Sequence, residues 1–105
     1  MSSLESRPPG LFVVHHVQAD FVGTLVPLEK GQNIVLGKAD DTYIPELFKG
    51  TTVGRRQVEI GWGPHGPVLT GLRSRSPTLI NGQPASDQAL LPGDVLGLGD
   101  ALFVY

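Results

Sequence analysis

The stretch that decides the fold reads Leu72-Arg73-Ser74-Arg75-Ser76-Pro77-Thr78-Leu79-Ile80-Asn81-Gly82. Hydroxyls and guanidiniums crowd its first half, an apolar pair follows, and the final Asn-Gly pair is a turn signal typical of hairpins. The stretch therefore predicts a polar loop that leads into a short β-hairpin. The side chains of this loop that can donate hydrogen bonds to an anion are Ser74, Arg75, Ser76 and Thr78. We expect the scaffold to present it beside a second basic loop, Gly54-Arg55-Arg56-Gln57.

The composition favours one all-β domain. The chain has 105 residues, with 14 glycines and nine prolines spread along it, so turns must separate many short segments. A chain of this length can bury a hydrophobic core large enough to fold without a bound metal or disulfide bonds. The net charge is −2, whereas nucleic-acid-binding domains usually carry an excess of basic residues. Direct nucleic-acid binding is therefore not expected.

The absence of cysteine excludes disulfides, thiolate metal sites and cysteine nucleophiles, and suits a cytoplasmic protein. The longest apolar run, residues 11–14, is far too short to span a bilayer, so no membrane association is expected. Residues 1–10 lack the apolar centre of a signal peptide and are interpreted as a flexible leader, with the domain at residues 11–105.

Alternating and β-branched residues predict about ten short strands at the spacing of a β-sandwich. The segments assigned to strands include residues 11–16, 24–28, 34–36, 58–62, 67–72, 79–80, 95–98 and 102–105. The connection at residues 39–52 has no strong period, and one helical turn is expected around Pro45-Glu46-Leu47-Phe48.

Several sequence patterns suggest nucleotide binding, metal binding or catalysis, but each lacks a residue or a spacing that the function needs. Residues 31–38 resemble a phosphate-binding P-loop, but the glycines are one residue too far apart and Ala39 replaces the magnesium-binding hydroxyl. His15 and His16 are neighbours on a predicted strand and point to opposite faces, so they do not share a metal ion. His65 lies at a hairpin tip. A hydrolase that combines one of these histidines with a serine lacks any supporting motif.

Four motifs together resemble a forkhead-associated (FHA) domain, a β-sandwich of about eleven strands whose loops at one end capture phosphothreonine peptides. The family pattern is Gly-Arg, Ser-x-x-His, Ser-x-Asn-Gly-Thr-x-x-Asn-Gly and Leu-x-x-Gly-Asp, in that order. The matching segments here are Gly37-Lys38, Gly54-Arg55-Arg56-Gln57, residues 74–82 and Leu90-Leu91-Pro92-Gly93-Asp94. The resemblance covers residues 28–105 and implies an all-β, FHA-like sandwich.

The resemblance also implies a set of site residues. Candidates for phosphopeptide binding are Lys38, Arg55, Arg56, Ser74, Arg75, Ser76 and Thr78. Structural positions of the motifs are Gly37, Asn81, Gly82, Gly93 and Asp94. Positions at which the family pattern has degenerated are Gly54, Gln57 and Pro77, and no metal or cofactor site is implied.

The substitutions have physical consequences for a phosphate site. Lys38 keeps a positive charge but lacks the planar guanidinium that binds from two directions. Gly54 has no hydroxyl, whereas Gln57 can still bond the neighbouring backbone as the family histidine would. Ser76 is a shorter donor than asparagine, and Pro77 removes a backbone N–H and the freedom to adopt a positive φ.

The function implied is a non-catalytic interaction module that binds a protein or peptide, weakly or independently of phosphate. One alternative is a functional phosphothreonine receptor that uses substituted basic contacts. Another is a structural domain that docks onto other domains of the same longer chain. Three segments also resemble the N-terminal FHA domains of bacterial sigma-54-dependent transcriptional regulators: residues 10–16, 45–48 and 93–100. This implies an N-terminal sensor domain of a longer protein, ahead of an ATPase domain.

Overall fold

The computed structural model describes residues 10–72, 75–85 and 87–105, which form ten strands and two short 3-10 helices. The strands are β1 Gly10–His15, β2 Leu25–Pro27, β3 Ile34–Leu36, β4 Val58–Gly63, β5 Gly66–Gly71, β6 Thr78–Ile80, β7 Gln83–Pro84, β8 Gln88–Ala89, β9 Val95–Leu98 and β10 Ala101–Val104. The 3-10 helices are Ala19–Phe21 and Pro45–Phe48. The prediction of an all-β chain is confirmed.

The strands form two antiparallel sheets. A six-stranded sheet has the order β2-β1-β10-β9-β6-β7, and a four-stranded sheet has the order β3-β4-β5-β8. Alternation along each strand explains the layering, because successive side chains point to opposite faces. In β4, for example, Val58 and Ile60 are buried, whereas Glu59 between them is partly exposed.

The core lies between the two sheets. Each sheet contributes fully buried aliphatic side chains, among them Leu11 and Leu96 from the larger sheet and Leu69 from the smaller one. The second 3-10 helix adds Leu47 and Phe48, and the Phe48 ring centroid lies 6.0 Å from that of Phe103 in β10. The connection between β3 and β4 is therefore anchored by its own apolar residues.

The strand register distinguishes two ends of the sandwich. One end, which we call the loop end, consists of residues 37–42, 51–57, 75–78 and 99–100. At the other end, Phe12 pairs with Val104, so the start of β1 lies beside the end of β10. There the backbone N–H of Gly93 donates to the carbonyl of Tyr105 at 2.7 Å.

The structure differs from the sequence prediction in a few places. The first strand begins at Gly10, inside the segment predicted as a leader, because Gly10 pairs with Pro27 of β2. Pro27 ends an edge strand, a position that suits a residue without a backbone N–H. Strand β8 was missed, since its two exposed residues, Gln88 and Ala89, carry no strand pattern.

The helical turn predicted around residues 45–48 is present as a 3-10 helix. Among the described residues, no helix has both the length and the apolar character needed to cross a membrane.

Candidate functional site

A close approach of two backbone segments builds the first part of the loop end. The N–H of Lys38 donates to the Gly54 carbonyl at 3.1 Å, and the N–H of Ala39 donates to the Arg55 carbonyl at 3.0 Å. A Cβ atom at Gly37 would overlap the Arg55 carbonyl oxygen, so only glycine permits this approach. The Gly37-Lys38 segment and the basic loop at residues 54–57 therefore lie side by side.

The buried side chain of Gln57 joins the basic loop at residues 54–57 to the loop at residues 75–78. Its Oε1 accepts a hydrogen bond from the Gly54 N–H at 2.9 Å, which closes the turn over residues 54–57. Its Nε2 donates to the Ser76 carbonyl at 3.0 Å and to the Thr78 hydroxyl at 2.6 Å. The side chain is completely buried, so these bonds replace all contact with water. Gln57 thus fixes the relative position of the two loops.

Thr52 forms a second junction at the loop end. Its backbone N–H donates to Oδ1 of Asp100 at 3.1 Å, and its carbonyl accepts a hydrogen bond from the Ser76 hydroxyl. The β9–β10 turn approaches closely, because a Cβ atom at Gly99 would lie 2.6 Å from the Thr52 hydroxyl oxygen. The N–H of Gly99 also donates to the Pro77 carbonyl at 3.1 Å. Three loops and the final hairpin turn therefore form one connected surface.

The cations of this surface fall into two groups. Within residues 10–72, 75–85 and 87–105, no hydrogen bond or ion pair engages the side chains of Lys38, Arg55 and Arg75. Arg55 and Arg75 are exposed and Lys38 is half-buried. Arg56 instead pairs with the carboxylate of Asp41. Three positive charges at the loop end therefore remain available to a ligand.

The hydroxyl groups have more limited roles. The Ser76 hydroxyl donates to a backbone carbonyl, so its proton is committed to holding the loops together. The Thr78 hydroxyl accepts from Gln57 and retains its own proton for donation. Ser74 lies outside the described residues. Among the described candidates, the surface offers cationic side chains and the hydroxyl proton of Thr78, which suits a phosphate or a carboxylate.

The predicted structural positions near the end of the chain lie away from this surface. Asn81 and Asp94 sit at the opposite end of the sandwich, where Asn81 Nδ2 donates to Oδ1 of Asp94 at 3.0 Å. Asn81 Oδ1 accepts from the N–H of Val95 at 2.9 Å. The turn glycines Gly82 and Gly93 have φ values of 81° and 91°, which glycine adopts without strain. These residues brace turns and do not line the candidate site.

Sequence reasoning missed three residues that shape the loop end. Thr42 holds the turn after β3, because its hydroxyl lies 2.9 Å from the Gly37 carbonyl and 2.6 Å from the Ala39 carbonyl. Thr52 and Asp100 form the junction described above. Asp100 lies in a recognisable hairpin turn, but its partner is 48 residues away in sequence, so no local pattern identifies the contact.

The three histidines occupy separate environments. His16 is buried, its Nε2 lies 2.6 Å from the Leu47 carbonyl, and its Nδ1 accepts from the Gln18 N–H at 2.9 Å. His15 is exposed on the other face of the chain, and His65 lies at the tip of the β4–β5 hairpin, away from the loop end. In the part of the chain that the structure describes, no three His, Asp or Glu side chains cluster as metal ligands.

Comparison with known proteins agrees with the fold. The chain is 34% identical over 80 residues to the FHA domain-containing protein FhaA of Mycobacterium tuberculosis. That alignment covers 76% of this chain but 15% of FhaA, so the chain spans a small part of that relative's length. No protein-family model matches the sequence.

Two solved structures show the same architecture. One is the FhaA FHA domain complexed with the intracellular domain of Rv3910, with a TM-score of 0.70 and 26% identity over 90% of this chain and 94% of that chain. The other comes from a structural and functional analysis of phosphothreonine-dependent FHA domain interactions, with a TM-score of 0.70 and 26% identity over 90% of both chains. The chain is therefore an FHA-type domain, in fold and by its similarity to FhaA.

Proposed function

We propose that this domain is a non-catalytic protein-interaction module whose loop end binds a peptide, and that its phosphothreonine site is weakened by the loss of two donors. The partner is a protein or peptide that contains phosphothreonine or acidic residues. Binding is weak, or depends on contacts other than the phosphate. The proposal requires no cofactor or metal, and direct binding to nucleic acid or to a membrane is not part of it.

The observation that carries the proposal is the position of Gln57. Its buried amide bonds both the loop that contains Arg55 and the loop that contains Ser76. A buried polar residue therefore holds these two loops together. A buried amide is costly unless its bonds are satisfied, and here it joins two loops that carry unpaired cations. Such an arrangement supports a binding surface better than it supports a role in the core.

The related proteins support the ligand class. FhaA's FHA domain has been crystallised with the intracellular domain of another protein, and the second structure concerns phosphothreonine-dependent interactions. Both structures cover nine-tenths of this chain. A phosphothreonine-containing or acidic segment of a partner protein is therefore the ligand that we propose here.

Two substitutions support a weakened site. Gly54 stands where the family pattern has a serine, so one hydroxyl donor is missing. Ser76 stands where the pattern has asparagine, and its hydroxyl donates to the Thr52 carbonyl. Hydrogen bonds to charged groups contribute about 1.5–3 kcal/mol each, so two lost donors weaken binding on the order of 10² to 10⁴-fold.

The unpaired cations favour a second candidate, a functional phosphothreonine receptor. Arg55 and Arg75 are exposed and can form two parallel hydrogen bonds to a phosphate, which Lys38 cannot. In this case the guanidinium contacts replace the two missing donors. The same surface would then discriminate strongly between phosphorylated and unphosphorylated peptides.

Paired peptide titrations separate the two candidates. A peptide library with one fixed phosphothreonine, and the same library with threonine, are titrated into the protein by fluorescence anisotropy. A weakened site predicts less than about tenfold preference for the phosphorylated library, whereas a receptor predicts about a hundredfold or more. Failure of Arg55→Ala and Arg75→Ala to weaken binding of either library would place the interaction outside the loop end.

We further propose that the domain is cytoplasmic and acts as the N-terminal regulatory domain of a bacterial sigma-54-dependent transcriptional regulator. The support is the resemblance of residues 10–16, 45–48 and 93–100 to such domains. Docking on a downstream ATPase domain is the alternative role in that setting. The ATPase activity of the longer protein, measured with and without residues 1–105, tests whether this domain regulates the ATPase domain, by docking or otherwise. An unchanged activity contradicts that regulation.

A further inference from the structure

One carboxylate at the loop end has no cationic partner. Asp41 pairs with Arg56, and the Asp40 carboxylate lies 4.0 Å from the Nζ of Lys49. In the part of the chain that the structure describes, no lysine or arginine pairs with Asp100, the third carboxylate of this surface. The domain therefore neutralises the charges of the other two carboxylates itself, but leaves the charge of Asp100 available.

The Asp100 carboxylate is fixed in position by one of its two oxygens. Its Oδ1 accepts a hydrogen bond from the N–H of Thr52 at 3.1 Å, and no described group bonds to Oδ2. Asp100 is half-buried in the β9–β10 turn. The Thr52 hydroxyl lies against the same turn, at Gly99, and is exposed without a hydrogen bond among the described residues. The turn therefore presents an oriented, charged acceptor and a hydroxyl oxygen to a ligand.

Asp100 and Lys38 belong to opposite sides of the loop end. Lys38 follows β3 of the smaller sheet, whereas Asp100 precedes β10 of the larger sheet. Residues 52–54 connect the two sides, because Thr52 bonds to Asp100 and the Gly54 carbonyl bonds to the Lys38 N–H. Arg55 lies on the Lys38 side, since its carbonyl accepts from the next N–H of that segment. The loop end therefore carries free cations on one side and a free carboxylate on the other.

We propose that the peptide bound at the loop end carries a lysine or arginine near its phosphothreonine or acidic residue, and that Asp100 binds this basic side chain. The inference rests on the proposed function and adds a specificity-determining residue to it. The anionic group of the peptide lies at Lys38 and Arg55, and its basic group lies at Oδ2 of Asp100. One ligand thus satisfies both signs of charge on the surface.

The distance between the two sheets sets the spacing of the two charges in the peptide. Stacked sheets lie about 10 Å apart, so the backbones at Lys38 and Asp100 are separated by at least about that distance. An extended peptide spans about 3.3 Å per residue. The basic residue should therefore lie about three or more positions from the anionic one, on one side of it in the peptide sequence.

A peptide scan by fluorescence anisotropy tests this proposal on the wild-type chain. Each peptide has a central anion, phosphothreonine in one series and glutamate in the other, within an otherwise uncharged sequence. A single lysine or a single glutamate is then placed at each flanking position in turn. At one or more positions the lysine peptide should bind about fivefold or more tighter than the glutamate peptide, because one charge attracts Asp100 and the other repels it. Acetylation of that lysine should remove its advantage.

Asp100→Asn separates the charge of Asp100 from its role in the turn. The amide keeps an oxygen that can accept the Thr52 N–H, so the variant should fold, but its preference for lysine over glutamate should fall below about twofold. Asp40→Asn is the matched control, because it removes the same charge from the Lys38 side of the loop end and should keep the preference. Thermal unfolding verifies each variant. If Asp100→Asn does not fold, Asp100→Ser, which also has an oxygen acceptor, takes its place.

The outcomes distinguish this inference from the proposed function. Peptides that bind the wild type without a preference for lysine would overturn the inference and leave the proposed function standing. A preference that persists in Asp100→Asn, or that Asp40→Asn loses to the same extent, would also overturn it, because the charge of Asp100 would not be its local cause. If no peptide of either series binds at concentrations up to about 1 mM, the inference and the proposed function are both wrong.

Discussion

The Nε2 of Gln57 lies 2.6 Å from the hydroxyl oxygen of Thr78, although the two residues are 21 positions apart and adjoin different sheets of the sandwich. Thr78 begins β6 in the larger sheet, and Gln57 immediately precedes β4 in the smaller one. One buried amide therefore connects the two layers at the end where the basic loops meet. The integrity of the candidate site should depend on this contact.

Replacing Gln57 by leucine should lower the free energy of unfolding by about 2–4 kcal/mol, because the Gly54 N–H, the Ser76 carbonyl and the Thr78 hydroxyl would lose a buried partner. Urea denaturation measures the loss. Gln57→His, which restores the residue of the family pattern with two ring nitrogens, should lose less. A loss below about 0.5 kcal/mol for Gln57→Leu would contradict the structural role of the amide.

Gly37→Ala should destabilise the domain by more than about 2 kcal/mol and weaken peptide binding, because its Cβ would overlap the Arg55 carbonyl and push residues 37–39 away from residues 54–55. The matched control is Gly61→Ala, whose Cβ would meet only Asn33 side-chain atoms, the nearest at 3.5 Å. Urea denaturation and peptide titration of both variants provide the comparison. Equal stability of the two alanine variants would show that the 37–39 segment moves without cost.

Gly54→Ser should strengthen binding of the phosphothreonine library by about tenfold or more, since a restored hydroxyl can donate one hydrogen bond to a charged oxygen. Gly54→Ala adds a Cβ without the hydroxyl and should not increase affinity. The threonine library should bind both variants alike. If serine and alanine act identically on the phosphorylated library, the gain does not come from a phosphate contact at this position.

Arg55→Ala should weaken binding of an acidic or phosphorylated peptide by about tenfold or more, and the loss should shrink as salt is added. Arg56 is the neighbouring control, because its guanidinium already pairs with Asp41. Arg56→Ala should change affinity less, and should change the free energy of unfolding by no more than about 1 kcal/mol, as for other exposed ion pairs. Anisotropy titrations at two salt concentrations distinguish the two arginines.

Asn81→Ala should lower the free energy of unfolding by about 2 kcal/mol without changing peptide affinity. The variant loses the hydrogen bonds to Asp94 and Val95, and alanine is strained at the observed φ of 52°. Asn81→Gly removes the same hydrogen bonds but tolerates the positive φ, so it should be intermediate. A drop in peptide affinity for a folded Asn81 variant would contradict the separation of this turn from the loop end.

Most of the fold could be predicted from the sequence because its turns are marked by local chemistry. The pairs Asn81-Gly82 and Pro92-Gly93 predict turns, because Asn and Gly tolerate a positive φ. The structure has a positive φ at Asn81, Gly82 and Gly93. The alternation in residues 58–62 predicts a half-buried strand, and residues Val58–Gly63 form such a strand. Strand β8 has two residues and pairs only with β5, so it depends on tertiary position and not on its own pattern.

The candidate site could be predicted only in part, because a motif gives residue types and not their partners. The sequence indicated that residues 54–57 and 74–78 lie near each other, and the described parts of both lie together at the loop end. It did not indicate that Arg56 is paired with Asp41, or that the Ser76 hydroxyl contacts Thr52. Those contacts join residues 15 and 24 positions apart, across connections whose path local sequence does not determine.

The pairing of β1 with β10 places Gly10 and Tyr105 near each other, at the pole farthest from the basic loops. With residues 1–9 removed, a short Gly-Ser bridge from one to the other should therefore allow circular permutation, with new termini opened in an exposed turn such as that between β4 and β5. For the same reason the domain can be inserted as a cassette into a surface loop of a host protein. In either arrangement the pole that carries the basic loops points outward, away from both covalent junctions.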